Sequence, residues 1–188
     1  MPAPPRRTRS DARQNRERLL EVAALVFAEQ ELDAAPAVIA QRAGVGVGTL
    51  YRHFPTREAL IDAAYQRRLT LVCEQAAELL PGRTAAEAMQ EWMTHFVGYA
   101  TAKHGMAQAL NTVIASGTDP YAGSRALLTG AVGTLLAAGA EDGSLRTDLT
   151  ADDVLLFMSG IAQSAGQAGS PEQSARLVGL LLDALVRR

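Results

Sequence analysis

The sequence contains a single cysteine, Cys73, among its 188 residues. This scarcity excludes a disulfide framework, a cysteine-based zinc site and a CxxC redox pair. The longest weakly polar run, residues 126–140, falls short of the ~20 residues needed to cross a bilayer. Residues 1–16 lack the apolar core of a secretory signal. We therefore expect a cytoplasmic protein with no membrane partner.

Strand signals are also nearly missing, because no long segment alternates apolar and polar residues. A 3.6-residue apolar periodicity recurs instead and predicts an all-α fold. The Pro- and Arg-rich residues 1–9 are expected to form a disordered basic arm. The nine predicted helices cover approximately residues 10–29, 36–43, 47–54, 57–80, 85–103, 106–116, 121–141, 150–167 and 171–186.

Several helix ends are predicted from local capping signals. Asp33, Thr56 and Ser170 precede predicted helices and have side chains that accept hydrogen bonds from first-turn amides. Thr150, followed three residues later by an acid, predicts another helix start. Gly44 is expected to end the second helix in the left-handed conformation, where glycine has no Cβ strain.

Charge is unevenly distributed along the chain. The formal net charge of −2 excludes a histone-like polycation. Residues 1–70 nevertheless carry 11 arginines and 8 acidic residues, whereas residues 71–188 carry 7 basic and 12 acidic residues. The two parts thus have net charges of +3 and −5. This asymmetry indicates an N-terminal part that faces nucleic acid.

Two short predicted helices, 36–43 and 47–54, meet at a turn that contains glycine. Small Ala40 and Ala43 permit close packing of the second helix on the first. This arrangement is typical of a helix-turn-helix, whose second helix lies in the DNA major groove. The polar residues left on that helix are Thr49, Tyr51, Arg52 and His53.

Two other structures are compatible with parts of this segment. A phosphate-binding loop at residues 44–48 is disfavoured, because no strand precedes it and no lysine follows. A plain helical hairpin within a bundle remains open on spacing alone. The shortness of the second helix and the upstream basic arm favour DNA binding.

The segment 39–60, IAQRAGVGVGTLYRHFPTREAL, resembles the DNA-binding domain of the TetR/AcrR family of bacterial transcriptional regulators. The resemblance implies a nine-helix TetR-like architecture, with a three-helix DNA-binding domain at 10–56 and a helical ligand-binding and dimerisation domain at 57–188. The sequence departs from the family at Glu31, near the usual glycine position, and at residues 34–36, where a threonine is usual. The DNA-binding residues implied by the resemblance are Gln41, Arg42, Val47, Gly48, Thr49, Tyr51, Arg52, His53, Thr56 and Arg57.

The aromatic and methionine residues beyond residue 60 are interpreted as core, some of which would also line an effector pocket. Four polar residues that interrupt apolar helices are candidate anchors for a small apolar effector. The full candidate ligand-binding set is Tyr65, Trp92, His95, Phe96, Tyr99, Asn111, Phe157 and Gln163.

The sequence offers little support for catalysis, a metal or a cofactor. Glu91 and His95 have the i, i+4 spacing of a metal pair, and His104 follows along the chain, but only three histidines exist and none forms a clustered trio with a carboxylate. Neither a GxSxG motif nor a Cys–His nucleophile signature is present. We expect no enzymatic activity, no metal site and no cofactor.

The last two predicted helices carry more apolar residues than one small bundle needs, which favours a homodimer formed through helices 8 and 9. Since one helix-turn-helix reads only a half-site, two copies are required on one site. The sequence thus predicts a ligand-responsive regulator, a repressor, that binds a pseudo-palindromic double-stranded operator and is released by an effector. The alternative is a helical module that binds a small molecule or a partner and has little affinity for DNA.

Overall fold

A computed structural model describes residues 9–29, 34–167 and 170–187. These residues form nine α-helices, as the periodicity predicts, and the all-α fold class is confirmed. The helices are α1 (Arg9–Ala28), α2 (Pro36–Arg42), α3 (Val47–His53), α4 (Arg57–Glu78), α5 (Ala85–Gly105), α6 (Ala107–Ala115), α7 (Ser124–Asp142), α8 (Ala151–Gln167) and α9 (Pro171–Leu185).

The chain divides into two compact units. Unit 1 contains the described residues up to Arg67 together with Gly105–Pro120. Unit 2 contains Arg68–His104 and the described residues from Tyr121 onward. Two helices pass from one unit to the other, α4 after Arg67 and α5 after His104. Helix α6 therefore belongs to the same unit as α1, α2 and α3.

Unit 1 is built on α1, which packs against α2 and α3. Its core contains the fully buried Leu19, Phe27, Ile39, Leu50 and Ile61. Gly105, where α5 ends, lies so close to the backbone of Ala28 that a Cβ atom there would overlap the Ala28 carbonyl. Gln66 Nε2 donates to the carbonyl of Pro120 over 2.8 Å. These contacts attach the segment that contains α6 to the rest of unit 1.

In unit 2, α8 packs against both α7 and α9. Trp92 is completely buried and donates from Nε1 to the Val72 carbonyl over 2.8 Å. The last residue of α7 caps α5, since the Asp142 carboxylate accepts a hydrogen bond of 2.7 Å from the Ala85 amide. The end of α9 is fixed by a bridge in which the Arg146 amide donates to the Leu185 carbonyl over 2.8 Å.

Three helices begin at the capping residues that the sequence predicts. Thr56 Oγ1 accepts the Ala59 amide over 3.1 Å, and Ser170 Oγ accepts the Gln173 amide over 3.2 Å. Thr150 and Asp153 form a reciprocal capping box, with hydrogen bonds of 3.0 and 3.2 Å. These three starts are confirmed, because capping depends on residues only three positions apart.

Other ends differ from the prediction. Helix α5 continues through His104 and Gly105, whereas the prediction ended it at residue 103. Helix α7 begins at Ser124 and not at residue 121, because Gly123 is left-handed with φ of 74°. Helix α2 begins after Ala35 without a side-chain cap. The predicted cap Asp33 lies outside the described residues, as does the predicted basic arm apart from Arg9.

Within the described ranges, no helix combines the length and the apolar character needed to cross a membrane.

Candidate DNA-binding surface and effector cavity

The turn between α2 and α3 is a Schellman motif. Gly44 has a φ of 68°, and its amide donates to the Gln41 carbonyl over 3.0 Å. The amide of Val45 reaches back to the Ala40 carbonyl over 2.9 Å. These two hydrogen bonds satisfy carbonyls that α2 would otherwise leave unpaired at its end. The turn thereby defines the direction in which α3 leaves α2.

Helix α3 has one buried and one exposed face. Leu50 is fully buried, and the buried Phe54 follows at the end of the helix. The opposite face presents Val47, Gly48, Tyr51 and Arg52, all exposed, at positions i, i+1, i+4 and i+5. Tyr51 is the most prominent large side chain of this face, with 47% of its surface exposed. We call these four residues the α3 face.

Thr49 does not belong to the exposed face. The residue is only 7% exposed, and its hydroxyl accepts a hydrogen bond of 3.4 Å from Arg52 Nη2. Arg52 Nε also donates to the Gly48 carbonyl over 3.1 Å. The guanidinium therefore lies along its own helix and retains further N–H donors for a base or a phosphate. His53, at the end of the helix, is half-buried.

Gln41 and Arg42 are exposed in the last turn of α2. Arg42 Nη1 lies 3.7 Å from a carboxylate oxygen of Glu29, in a pair whose two side chains are largely in solvent. Such an exposed pair contributes little stability.

Thr56 and Arg57 begin α4. Thr56 is exposed, although its hydroxyl already caps the helix. The Arg57 guanidinium lies 5.2 Å from the ring centroid of Phe27 and donates to the Ala34 carbonyl over 2.9 Å. Arg57 thus connects α4 to α1 and to the chain before α2, which is a structural role in addition to the predicted DNA contact.

Unit 2 contains a cavity of about 470 Å³ among α5, α7 and α8. Three of the eight candidate ligand-binding residues line it, namely Phe96, Tyr99 and Gln163. Phe96 and Tyr99 form adjacent parts of one wall, with ring centroids 6.0 Å apart. The volume falls within the range of small-molecule sites.

The other five candidate ligand-binding residues lie away from this cavity lining. Tyr65 and Trp92 are buried in the cores of units 1 and 2, respectively. Asn111 is exposed on α6, in unit 1. Phe157 is 62% exposed and lines a separate groove between α8 and α9. His95 is partly buried, and its Nδ1 has no hydrogen-bond partner within the described part of the chain.

Sequence reasoning missed the charged residues of the cavity. Lys103, His104 and Arg125 line it, together with Tyr121 and Ser159. Lys103 and His104 stand in the last turn of α5, where basic residues are ordinarily explained by the helix dipole. The available signal was Lys103 itself, since it is the single lysine of the sequence.

No other cluster of reactive groups emerges in the described residues. Within ranges 9–29, 34–167 and 170–187, no group of three or more His, Cys, Asp or Glu side chains could hold a metal ion. Burial, assisted by the nearby Glu74 carboxylate, raises the pKa of the Cys73 thiol to about 11. The thiol is therefore protonated and weakly reactive at neutral pH.

Comparison with known proteins identifies both parts of the chain. Residues 19–64 match the family described as bacterial regulatory proteins, tetR family. Residues 84–187 match the family described as transcriptional regulator SbtR-like, C-terminal domain. A curated HTH-type transcriptional regulator of Staphylococcus aureus (strain USA300) is 39% identical over 64 residues, which are 34% of this chain and 35% of that protein. The match thus spans about a third of the curated relative.

Solved structures match over nearly the whole chain. The TetR transcriptional regulator SCO0520 from Streptomyces coelicolor is 45% identical, with a TM-score of 0.85 and coverage of 91% of this chain and 98% of that one. A TetR transcription regulatory protein from Mycobacterium vanbaalenii is 34% identical, with a TM-score of 0.78 and coverage of 95% and 99%. The chain therefore belongs to the TetR family of bacterial transcriptional regulators.

Proposed function

We propose that the chain is a repressor that binds a pseudo-palindromic operator as a homodimer and releases it when a small effector enters unit 2. The observation that carries the proposal is the α3 face, which presents Tyr51 and Arg52 to solvent from a helix-turn-helix. Residues 10–56 are the DNA-binding domain in this proposal, and residues 57–188 bind the effector and the second copy. The protein would act in the cytoplasm, where the operator lies, without a catalytic step.

The individual DNA contacts follow from the chemistry of the exposed side chains. Arg52 is suited to a bidentate contact with guanine or to a phosphate. Tyr51 can donate its hydroxyl to a phosphate, while Gln41 and Arg42 extend the same surface from α2. Val47 and Gly48 would allow close approach to the bases, since a Cβ at Gly48 would meet nothing within 4 Å. His53, Thr56 and Arg57 would contact the flanking backbone.

A second copy is required, because one helix-turn-helix contacts only a half-site and two half-sites are roughly 34–36 Å apart. We assign the dimer contact to α8 and α9. Three large apolar side chains protrude there, with exposed fractions of 68% for Leu156, 62% for Phe157 and 59% for Leu180. A groove of about 460 Å³, lined mainly by apolar side chains of both helices, runs along the contact between α8 and α9. Burying such a patch is the usual means of association.

Release by the effector requires that the effector bind one conformation more tightly than the other. The cavity lies in unit 2, whereas the α3 face lies in unit 1. Helices α4 and α5 are continuous across the unit boundaries, so a shift of either helix would change the spacing of the two α3 helices in the dimer. The effector would thus favour a state that cannot contact two successive major grooves.

The operator proposal is tested by selecting duplexes from a random pool and titrating them in gel-shift assays with wild type, Arg52→Ala and Arg83→Ala. Arg83 is the matched control, because it is an exposed, ion-paired arginine of unit 2. We expect Arg52→Ala to weaken binding by about 1–3 kcal/mol, with relaxed specificity at one base pair if Arg52 reads a base. Equal binding by all three proteins would contradict the proposal.

The dimer is tested by analytical ultracentrifugation of Phe157→Asp and Leu127→Asp. Leu127 is the matched control, because it is also an exposed apolar residue of unit 2, 51% exposed, but lies on α7. We expect Phe157→Asp to be a monomer and to lose operator affinity, since each monomer contacts only one half-site. A dimeric Phe157→Asp protein, or a monomeric Leu127→Asp protein, would place the interface elsewhere.

A further inference from the structure

The charge of the cavity in unit 2 is opposite to that of the surrounding sequence. Residues 71–188 carry 12 acidic and 7 basic residues. Yet the cavity lining includes Lys103, Arg125 and His104, and no aspartate or glutamate occurs among the described residues that line it. A lysine and an arginine therefore line one small volume in an otherwise acidic part of the chain. This local reversal points to an anionic ligand.

Lys103 is the best-positioned of these cations. Its Nζ lies 4.4 Å from the ring centroid of Tyr121, a cation–π contact that holds the ammonium at the cavity wall. Burial lowers the pKa of Lys103, because the charged form is partly removed from water. An anion placed in the cavity would favour the charged form and restore part of the lost solvation. Lys103 thus gains more from an anionic ligand than a fully exposed lysine would.

Arg125 supplies a second donor group. Its Nη2 lies 2.7 Å from Asp152 Oδ1, in a pair whose side chains are 71% and 56% exposed. A guanidinium has five N–H donors, so this contact leaves others for a ligand. Arg125 is therefore placed at the solvent side of the cavity, whereas Lys103 is half-buried.

The rest of the lining is suited to an apolar body. Phe96, Leu128 and Leu155 are buried and contribute carbon surface, and Ala100 and Ala162 keep the space open. A cavity of about 470 Å³ has the volume of roughly 15 water molecules at about 30 Å³ each. A ligand of roughly 10 to 15 non-hydrogen atoms fits that volume.

We propose that the effector is a small amphipathic carboxylic acid, whose carboxylate contacts Lys103 and Arg125 and whose apolar part packs on Phe96, Leu128 and Leu155. The proposal rests on the proposed function, because it names the ligand class of the same effector cavity. It also replaces the apolar effector expected from the sequence with an acid that has an apolar body.

The experiment compares probes that differ only in charge. Octanoate and 4-phenylbutanoate are titrated into the full-length protein by isothermal calorimetry, beside octan-1-ol, 4-phenylbutan-1-ol and octylammonium. We expect both acids to bind at least about ten-fold more tightly than the matched alcohols, because charge-assisted hydrogen bonds would be lost in the alcohols. Octylammonium should bind most weakly.

Variants assign the effect to the two cations. Lys103→Gln and Arg125→Gln should each reduce affinity for the acids by about ten-fold and leave affinity for the alcohols unchanged. Arg83→Gln, the ion-paired arginine outside this cavity, should bind the acids like wild type. Circular dichroism melting of each variant verifies folding, and two independent variants keep the test decisive if one is unstable.

Equal affinity for acids and alcohols, or no binding of either acid, would overturn the proposal of an anionic ligand. Operator binding is measured in parallel by fluorescence anisotropy without any probe. Operator binding that persists while the acids fail would leave the proposed regulator standing. Acids that bind in a protein without operator affinity would support the ligand class and contradict the proposed function.

Discussion

Unit 1 and unit 2 use their charged side chains in different ways. In unit 1, two arginines lie over aromatic rings, Arg57 over Phe27 at 5.2 Å and Arg16 over Phe54 at 5.4 Å. These contacts build cations into the edge of the core. Each contact places a guanidinium beside a buried ring, so these two arginines have a structural role as well as a charge.

In unit 2, carboxylates complete helix ends and turns. The pKa values of Glu87, Asp142, Asp153 and Glu172 are all lowered, because hydroxyl or amide donors of nearby residues stabilise the ionised forms. These acidic residues of unit 2 thus stabilise its helix ends and turns. The cavity differs from them, because its charged lining residues are basic. Net charge alone describes neither unit, since the role of each charged side chain depends on its local partners.

The division into two units is tested most strongly at the end of α5. Gly105→Ala should destabilise the protein by about 1–3 kcal/mol, because the new methyl group would overlap the backbone of Ala28. Gly98→Ala, on the same helix but in unit 2, should stabilise by about 0.5–1 kcal/mol, since no atom lies within 4 Å of the added Cβ. Urea unfolding followed by circular dichroism measures both changes.

Hydrogen exchange locates the effect of Gly105→Ala. Peptides of α1 and α6, both in unit 1, should exchange faster than in wild type. Acceleration confined to unit 2 peptides would show that Gly105 does not belong to unit 1.

The next prediction concerns the contribution of the contact between Arg57 and Phe27 to the stability of unit 1. Arg57→Ala should cost about 1–2 kcal/mol, because it removes the contact with Phe27 and leaves the Ala34 carbonyl without this donor. Arg83→Ala removes an exposed ion pair of unit 2 and should change stability by less than about 1 kcal/mol. Thermal unfolding compares the two. Equal losses would contradict the claim that the arginines of unit 1 have the larger structural role.

The capping acids of unit 2 give the smallest predicted effect, a pH dependence at Asp153. The Thr150 hydroxyl and amide lower the pKa of this carboxyl. Its stabilisation should therefore be complete above the unfolded-state value of about 3.9 and be lost as pH falls through the lower folded value. Asp153→Asn should thus differ from wild type at neutral pH and converge with it in acid.

Urea midpoints between about pH 7 and pH 3 measure this convergence. Glu141→Gln, at an exposed position in α7, is the control and should run parallel to wild type. A constant offset for Asp153→Asn across the whole range would assign its effect to something other than the carboxylate charge.

Much of the fold was predictable from short-range signals. The capping hydroxyls of Thr56 and Ser170 act on amides three residues away, and Gly44 supplies its own left-handed turn. The need for glycine at position 105 comes instead from the close approach of Ala28, which is 77 residues earlier in the sequence and invisible to local patterns. Local chemistry predicts where helices can begin, whereas a close contact between distant segments leaves no signal in a local pattern.

The candidate sites divide in the same way. The α3 face follows from the spacing of Tyr51 and Arg52 around a short helix, because its buried face is apolar. The cavity could not be deduced, since Lys103 and Arg125 come from separate helices whose approach no sequence pattern specifies. Trp92 is an aromatic residue of the kind that lines ligand pockets, but it lies in the core, where its indole N–H donates to the Val72 carbonyl.

The central claim, that the α3 face of unit 1 reads a specific operator, is tested most directly by one specificity ratio. Fluorescence anisotropy with a duplex selected from a random pool and its scrambled counterpart gives this ratio at a stated salt concentration. We expect wild type to prefer the selected duplex by about a thousand-fold or more and the double variant Tyr51→Ala/Arg52→Ala to lose most of this preference. Equal affinity for both duplexes would contradict the account and favour a helical module that binds small molecules without reading DNA.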